Sequence, residues 1–307
     1  MIHLLYKWEN GYILVEKGDQ MIGFIGLGIM GENMARRMLE SGQDLIIHNR
    51  TKDKATALLE KGAIWADSPA EVAQKADIVF TMLTTPSVVE SVIYGEQGLL
   101  SGLSNNTLWV DTSTVKPAYS EKWAKDAKDQ GGRFVDAPVA GSKGPAEQGK
   151  LHFLVGGKKQ DIEEITPLLE VMGQSVQHMG DVGKGSATKL AVNLTLVQSM
   201  ASFAEAVSFG ESVGLDRAQL ADLLLMLPTT APVLDGKRDM IVHGTFETQF
   251  PLEHAYKDLQ QLSETAYESG APLPISHAAK ELFAFAKQKG LGREDFAAVY
   301  LALKQDK

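Results

Sequence analysis

The stretch from Met21 to His48 restricts this chain more than any other. A short apolar run, Met21 to Ile25, leads directly into Gly26-Leu27-Gly28-Ile29-Met30-Gly31. A helical stretch follows to about Ser41, where Gly42 supplies a stop, and a second strand runs from Asp44 to His48. Strand, GxGxxG, helix and strand in one compact unit is the context in which this glycine pattern carries meaning. Gly26 permits the tight turn, Gly28 lets the backbone approach a pyrophosphate, and Gly31 lets helix and strand pack closely. The amides of Leu27, Ile29 and Met30 lie at the helix N-terminus, where a phosphate is favoured. These six residues are candidate dinucleotide ligands; the alternative is a tight α/β turn with no ligand.

The residues that end the second strand bear on which dinucleotide. An acidic residue here accepts from the ribose 2′-hydroxyl of NAD. This chain has Asn49-Arg50-Thr51, with Lys52 and Lys54 beyond. A guanidinium pairs with a 2′-phosphate in a bidentate way, whereas a carboxylate would repel it. NADP(H) is the favoured cofactor, and a solvated basic turn is the alternative.

Alternating strands and helices continue to about residue 182. Apolar strands are expected at Asp77–Leu83, Thr107–Val110, Arg133–Asp136, Leu151–Val155 and Ser175–Met179, with a helix near Ile162–Met172. Asp111-Thr112-Ser113-Thr114 places hydroxyls at the carboxyl end of a strand, where parallel sheets bind ligands. Ser113 or Thr114 could instead cap the helix after Pro117. Ala140-Gly141-Ser142, with Gly144, suggests a loop whose amides are free to meet an anionic group.

From Gly183 the periodicity is helical only. Gly183 to Gly214 reads as one long helix, apolar on most sides and carrying Lys189 and Asn193 on one face near its start. A lysine there opposes the helix macrodipole, so its placement calls for a reason. Further apolar helical periods fall at 218–227, 255–266, 273–285 and 294–303. The expected fold is an α/β Rossmann-type N-terminal domain (21–182) followed by an all-α C-terminal domain (183–307), joined by a long interdomain helix. Residues 1–20 are an appendage without a signal-peptide pattern, in which Asn10-Gly11 suggests a type I′ hairpin. Met21, which opens the first core strand, is a candidate start of translation.

Composition narrows the function classes. With 39 acidic against 30 basic residues the net charge is −9, so no nucleic-acid partner is expected. The absence of cysteine removes disulfides, thiolate metal sites and thiol nucleophiles, and fits the cytoplasm. Seven scattered histidines offer no metal-ligand spacing, so no metal is expected. Asn193, Gln198 and Glu205 interrupt the one long apolar run, which therefore reads as a buried helix and not a membrane span.

GLGIMGENMA, DTST, DAPVAGSKGPAEQGKL, GKGSATKLAVN and FPLEHAYKDL occur in an order and spacing that resembles the β-hydroxyacid dehydrogenases. That family includes 3-hydroxyisobutyrate dehydrogenase and tartronate semialdehyde reductase. NRT, GSKGPAE and FPLEHAYKD look most like its NADPH-dependent glyoxylate/succinic semialdehyde reductases. The resemblance runs from about residue 21 to the end. It implies Lys189 as catalytic lysine, with Asn193 orienting the substrate. Ser113 and Ala140-Gly141-Ser142 would hold the substrate carboxylate, Thr114 and Lys257 would touch the cofactor, and Phe250 and Asp258 would border the pocket. The family usually has serine where this chain has Ala140, so a hydroxyl donor is missing there. Imine reductases share the architecture but replace the lysine, so Lys189 argues against them.

Such a site would reduce small carboxylate-bearing aldehydes with NADPH, the lysine ammonium stabilising and protonating the developing alkoxide. The alternatives are oxidation of 3-hydroxyisobutyrate or another β-hydroxyacid, and a non-catalytic NADP-binding protein. A homodimer or homotetramer built on the second half is expected.

Overall fold

The computed structural model describes residues 3–8, 11–16 and 20–304. Strands β1 (His3–Trp8) and β2 (Gly11–Glu16) form an antiparallel pair with Trp8 opposite Gly11. Gly11 therefore belongs to the second strand and not to the turn, whose type lies outside the described residues.

The main sheet is built from β3 (Met21–Ile25), β4 (Asp44–His48), β5 (Ile64–Trp65), β6 (Ile78–Thr81), β7 (Leu108–Asp111) and β8 (Arg133–Asp136). β9 (Val139–Ala140), β10 (Leu151–Gly156) and β11 (Gly173–Gly180) extend it. The order is β11-β10-β8-β7-β6-β3-β4-β5, and the six strands from β8 to β5 in that order are mutually parallel. β10 runs antiparallel to β8, and β9 pairs with β10. The chain leaves β3 in one direction for β4 and β5, then returns past it for β6 to β8. That reversal opens a crevice at the carboxyl ends of β3 and β6, where such sheets bind dinucleotides.

The near-continuous apolar strands reflect burial on both faces. Ile78 and Phe80 of β6 enter one core with Met34 and Met38 from the helix Ile29–Glu40. Val79 enters the other with Trp109, Val89 and Trp123. Neither Ser113 nor Thr114 caps the helix Pro117–Asp129; Lys116 occupies that position without a side-chain cap bond.

The helical half is organised on the interdomain helix Lys184–Ser212, bounded by Gly183 (φ +89°) and Gly214 (φ +90°). Leu190, Val197, Met200, Phe203 and Val207 pack against the helices Leu252–Ser269, Pro274–Gln288 and Val299–Leu303. The interdomain helix has a mean hydropathy of 1.3 over its most apolar window, which is 44% buried, as suits a core helix with one open flank. The apolar period at 294–303 does not form one helix. Two short 3₁₀ turns, Leu291–Arg293 and Phe296–Ala298, precede the last helix. The buried Asp295 side chain explains the interruption, because it accepts from the amides of Gln249, Phe250 and Ala297.

Candidate active site

The glycine turn has the stereochemistry that its spacing implies. Gly26 has φ +100°, and a Cβ there would lie 2.4 Å from the Met82 carbonyl oxygen. A Cβ at Gly31 would sit 1.9 Å from the Gly26 oxygen, so only glycine allows the helix to start this close to the strand. The space in front of Gly28 is open, with no atom within 4 Å of its notional Cβ. No side chain caps this helix start, leaving its first amides free for an anion. The turn therefore fits a bound pyrophosphate.

Asn49 works on the turn itself. Its Oδ1 accepts from the Leu27 amide at 3.0 Å and its Nδ2 donates to the Thr51 carbonyl at 2.9 Å. It ties the strand end to the glycine turn, while Arg50 and Thr51 are exposed beside it. Lys52 lies over the Trp65 ring, 5.2 Å from its centroid.

At the carboxyl end of β7, Ser113 is buried. Its hydroxyl donates to Asp111 Oδ1 at 2.7 Å and accepts from the Leu83 amide at 3.0 Å. The Ser113 amide also points at Asp111 Oδ1, 3.3 Å away. Both polar groups of Ser113 are thus engaged inside the protein, where they brace the turns after β6 and β7 against each other. Burial pushes the Asp111 carboxyl upward from the ordinary aspartate range, against the pull of the Thr81 and Ser113 hydroxyls.

Lys257 brings the helical domain onto these turns. Its Nζ donates to the carbonyls of Thr84 at 3.1 Å and Thr114 at 3.0 Å. It also lies 3.0 Å from Asp258 Oδ1, a charge contact without hydrogen-bond geometry. Asp258 Oδ2 accepts from Asn193 Nδ2 at 2.6 Å, linking the helix Leu252–Ser269 to the interdomain helix. One turn before Asn193 stands Lys189, 8% exposed. Burial lowers its pKa to about 8, opposed by Asp258 and aided by Lys257. Among the described residues Lys189 Nζ has no hydrogen-bond partner. Asn193 Oδ1 is buried with no hydrogen-bond partner among the described residues, while Asp258 Oδ1 has only its charge contact with Lys257. A buried lysine and a buried amide oxygen one helical turn apart, neither with a hydrogen-bond partner among the described residues, are candidates for contact with a ligand, because orphaned polar atoms are costly elsewhere.

Gly141 has φ +127°, and a Cβ there would meet Leu151 Cδ2 at 2.9 Å. Ala140 lies on β9 opposite His152, and the Ser142 side chain caps nothing. Phe250 packs edge-on against Phe296, with ring centroids 5.4 Å apart. Its amide is held by Asp295, whose carboxylate also pairs with the buried Lys237 at 2.9 Å.

Sequence reasoning did not find Asp111, Asp136, Lys237 or Asp295. Asp111 and Asp136 end apolar strands, Lys237 and Asp295 sit in ordinary charged runs, and only the folded chain shows what each holds. One signal was present: a helix opening on Gly-Lys-Gly-Ser needs a cap from elsewhere.

A glycine turn that fits a pyrophosphate at the switch point, with a buried lysine close to the Lys257–Asp258 pair that reaches the same strand ends, is the arrangement of a nicotinamide-nucleotide-dependent oxidoreductase. The family model for the NAD binding domain of 6-phosphogluconate dehydrogenase matches residues 21–180. That for the NAD-binding of NADP-dependent 3-hydroxyisobutyrate dehydrogenase matches residues 183–303. The chain belongs to the β-hydroxyacid dehydrogenase family, of the 3-hydroxyisobutyrate dehydrogenase-like type. It is 41% identical to glyoxylate/succinic semialdehyde reductase 2, chloroplastic, of Arabidopsis thaliana, over 95% of this chain and 82% of that protein. Among solved structures it resembles Psf3 in complex with NADP+ and 2-OPP (TM-score 0.84, 28% identity, 92% of this chain and 100% of that one). It also resembles 3-hydroxyisobutyrate dehydrogenase of Mycobacterium tuberculosis with L-serine (TM-score 0.83, 26% identity, 93% and 99%).

Proposed function

We propose that this protein uses NADPH to reduce small carboxylate-bearing aldehydes, of the glyoxylate and succinic semialdehyde class, to hydroxyacids. The observation that carries this reading is Lys189: buried, without a hydrogen-bond partner among the described residues, and with its pKa lowered to about 8 by burial. An ammonium in that state stabilises negative charge growing on a carbonyl oxygen and gives it a proton near neutral pH. Bound NADPH supplies the hydride. Asn193, fixed by Asp258, orients the substrate or its product hydroxyl. Gly141 and Ser142 offer amides and a hydroxyl to the carboxylate. Ser113, whose hydroxyl and amide are already engaged, supports the turn beside it. Arg50, exposed where a ribose 2′-phosphate would lie, supports NADPH over NADH.

The relatives support the same reading. The Arabidopsis thaliana protein is named for glyoxylate and succinic semialdehyde, and Psf3 was solved with NADP+. A second direction rests on the same lysine. With a pKa of about 8 it is neutral in part of the population just above neutrality, and then accepts the proton when a β-hydroxyacid such as 3-hydroxyisobutyrate is oxidised.

NADPH absorbance followed against glyoxylate, succinic, methylmalonic and tartronic semialdehydes tests the proposal. Turnover with glyoxylate or succinic semialdehyde above the others is expected. NADPH binding with no turnover of any of them would leave only a non-catalytic nucleotide-binding protein. We further propose a homodimer or homotetramer formed through the helical half. Phe209 (67% exposed) and Met226 (74%) lie open there. The cytoplasm is the proposed compartment, on the absence of cysteine.

A further inference from the structure

Asp136 takes no part in the chemistry above, yet it holds the element on which that chemistry depends. It ends β8 in the nucleotide-binding domain and is 1% exposed. Its Oδ1 accepts from the Gly183 amide at 2.8 Å and its Oδ2 from the Ser186 amide at 2.7 Å. These donors open the interdomain helix, whose own cap position, Gly183, has no side chain to offer. The cap therefore comes from a different domain, 47 residues earlier.

The surroundings are shaped to this carboxylate. A Cβ at Gly156 would lie 2.5 Å from Asp136 Oδ1. One at Gly185 would lie 2.9 Å from Oδ2 and 2.4 Å from the Leu154 carbonyl oxygen. Two glycines adjacent in space thus let sheet and helix close on Asp136. The Ser120 and Ser186 hydroxyls, 2.9 Å apart, secure the same turn against the helix Pro117–Asp129. Lys189 follows Ser186 by three residues, within one helical turn. With no hydrogen bond of its own among the described residues, its ammonium is placed by this backbone turn and the packing of its stem.

We infer that Asp136 is a positioning residue for Lys189, setting the height and rotation of the interdomain helix relative to the strand ends that receive the cofactor. The inference rests on the reading of Lys189 as the proton donor. Two donors on two oxygens require a carboxylate. An asparagine accepts one amide and sets an N–H against the other. A displacement of the order of 1 Å at a reacting group costs about 10²-fold in rate, so a small shift of this turn is enough to be read kinetically.

The test compares Asp136→Asn with the wild-type protein in three measurements. They are kcat for glyoxylate, NADPH binding by fluorescence, and the pH dependence of Lys189 acetylation followed by mass spectrometry. Asp136→Asn keeps one of the two bonds. Gly156→Ala, which leaves the carboxylate but crowds it, serves as a second variant. The expected result is a fall in kcat of about tenfold to 10²-fold, an NADPH Kd within twofold, and a Lys189 titration moved from about 8 toward that of a free lysine. An unchanged Lys189 titration in both variants, or losses of kcat and NADPH affinity in parallel, overturns it. Lys189→Ala, run alongside, separates the two levels. If that variant keeps turnover, the reading of Lys189 fails, while the acetylation profile still reports whether Asp136 sets the lysine's surroundings.

Discussion

Asn193 Nδ2 donates to Asp258 Oδ2 at 2.6 Å, joining two helices whose partners are 65 residues apart. The bond fixes which way the amide faces, leaving Asn193 Oδ1 without a hydrogen-bond partner among the described residues. It also keeps Asp258 near Lys189, where it favours the charged lysine, while the adjacent Lys257 opposes it.

Asp258 and Lys257 consequently tune Lys189 in opposite senses. Asp258→Asn removes the charge that raises the lysine's pKa, so the pH at which reductive kcat falls should move below about 8. Lys257→Met removes a charge that lowers it, so that limb should move above about 8. Steady-state pH profiles of the two variants check the signs. A shift in the same direction for both contradicts the arrangement.

Lys189→Met should abolish turnover, leave NADPH binding intact and stabilise the fold. The native pKa of about 8 lies below the ordinary lysine value of 10.5, so the unfolded chain binds more protons between those values. Wild-type stability therefore rises with pH from about 8 to 10.5 and is lowest, on this account, below 8. The gain from removing the buried charge should be largest at pH 7, where Tm is expected to rise by roughly 2–4 °C, following the size scaling of unfolding entropy. Thermal melts at pH 7 and pH 10 measure the difference.

Arg50→Asp should transfer preference from NADPH toward NADH. The exposed side chain can change without disturbing the core, whereas a carboxylate there repels a 2′-phosphate and accepts from a 2′-hydroxyl. The ratio of kcat/KM for the two cofactors should fall by about 10²-fold, corresponding to about 2–3 kcal/mol for exchanging a charge-assisted contact for a repulsive one. An unchanged ratio would show that Arg50 does not meet the cofactor.

Lys237→Met should destabilise the helical half strongly. It strands Asp295 in a site 0% exposed, and breaking a buried pair from one side costs roughly 3–5 kcal/mol. Asp295 also holds the amides of Gln249 and Phe250, just before the helix that carries Lys257 and Asp258. Urea denaturation gives the stability loss. A rise in KM for the aldehyde, with NADPH affinity kept, is expected if Phe250 borders the pocket.

Phe209→Glu with Met226→Glu should leave the core intact and dissociate the assembly, as read by light scattering. Both side chains are exposed on the helical half, so their replacement meets no packed neighbour across most of their surface. A wild-type protein that is already monomeric would remove the basis for this expectation.

Local pattern was enough to recognise much of this molecule. GLGIMG after an apolar strand, with Gly42 closing the helix, implies the nucleotide-binding turn because each glycine meets a short-range steric demand. Short apolar runs and period-3.6 hydrophobicity likewise distinguish the sheet-bearing half from the helical half, and Lys189 stands out as a cation near a helix N-terminus. Other features are decided by distant groups. The 294–303 period breaks into 3₁₀ turns because Asp295 takes amides from residues some 45 positions earlier. Ser113 turns inward because Asp111 and Leu83 converge on its hydroxyl only when β6 and β7 are adjacent. The lysine's lowered pKa comes from burial between helices remote in the chain, and its height above the sheet from Asp136. Desolvation and two-oxygen capping depend on three-dimensional proximity, which no spacing along the chain encodes.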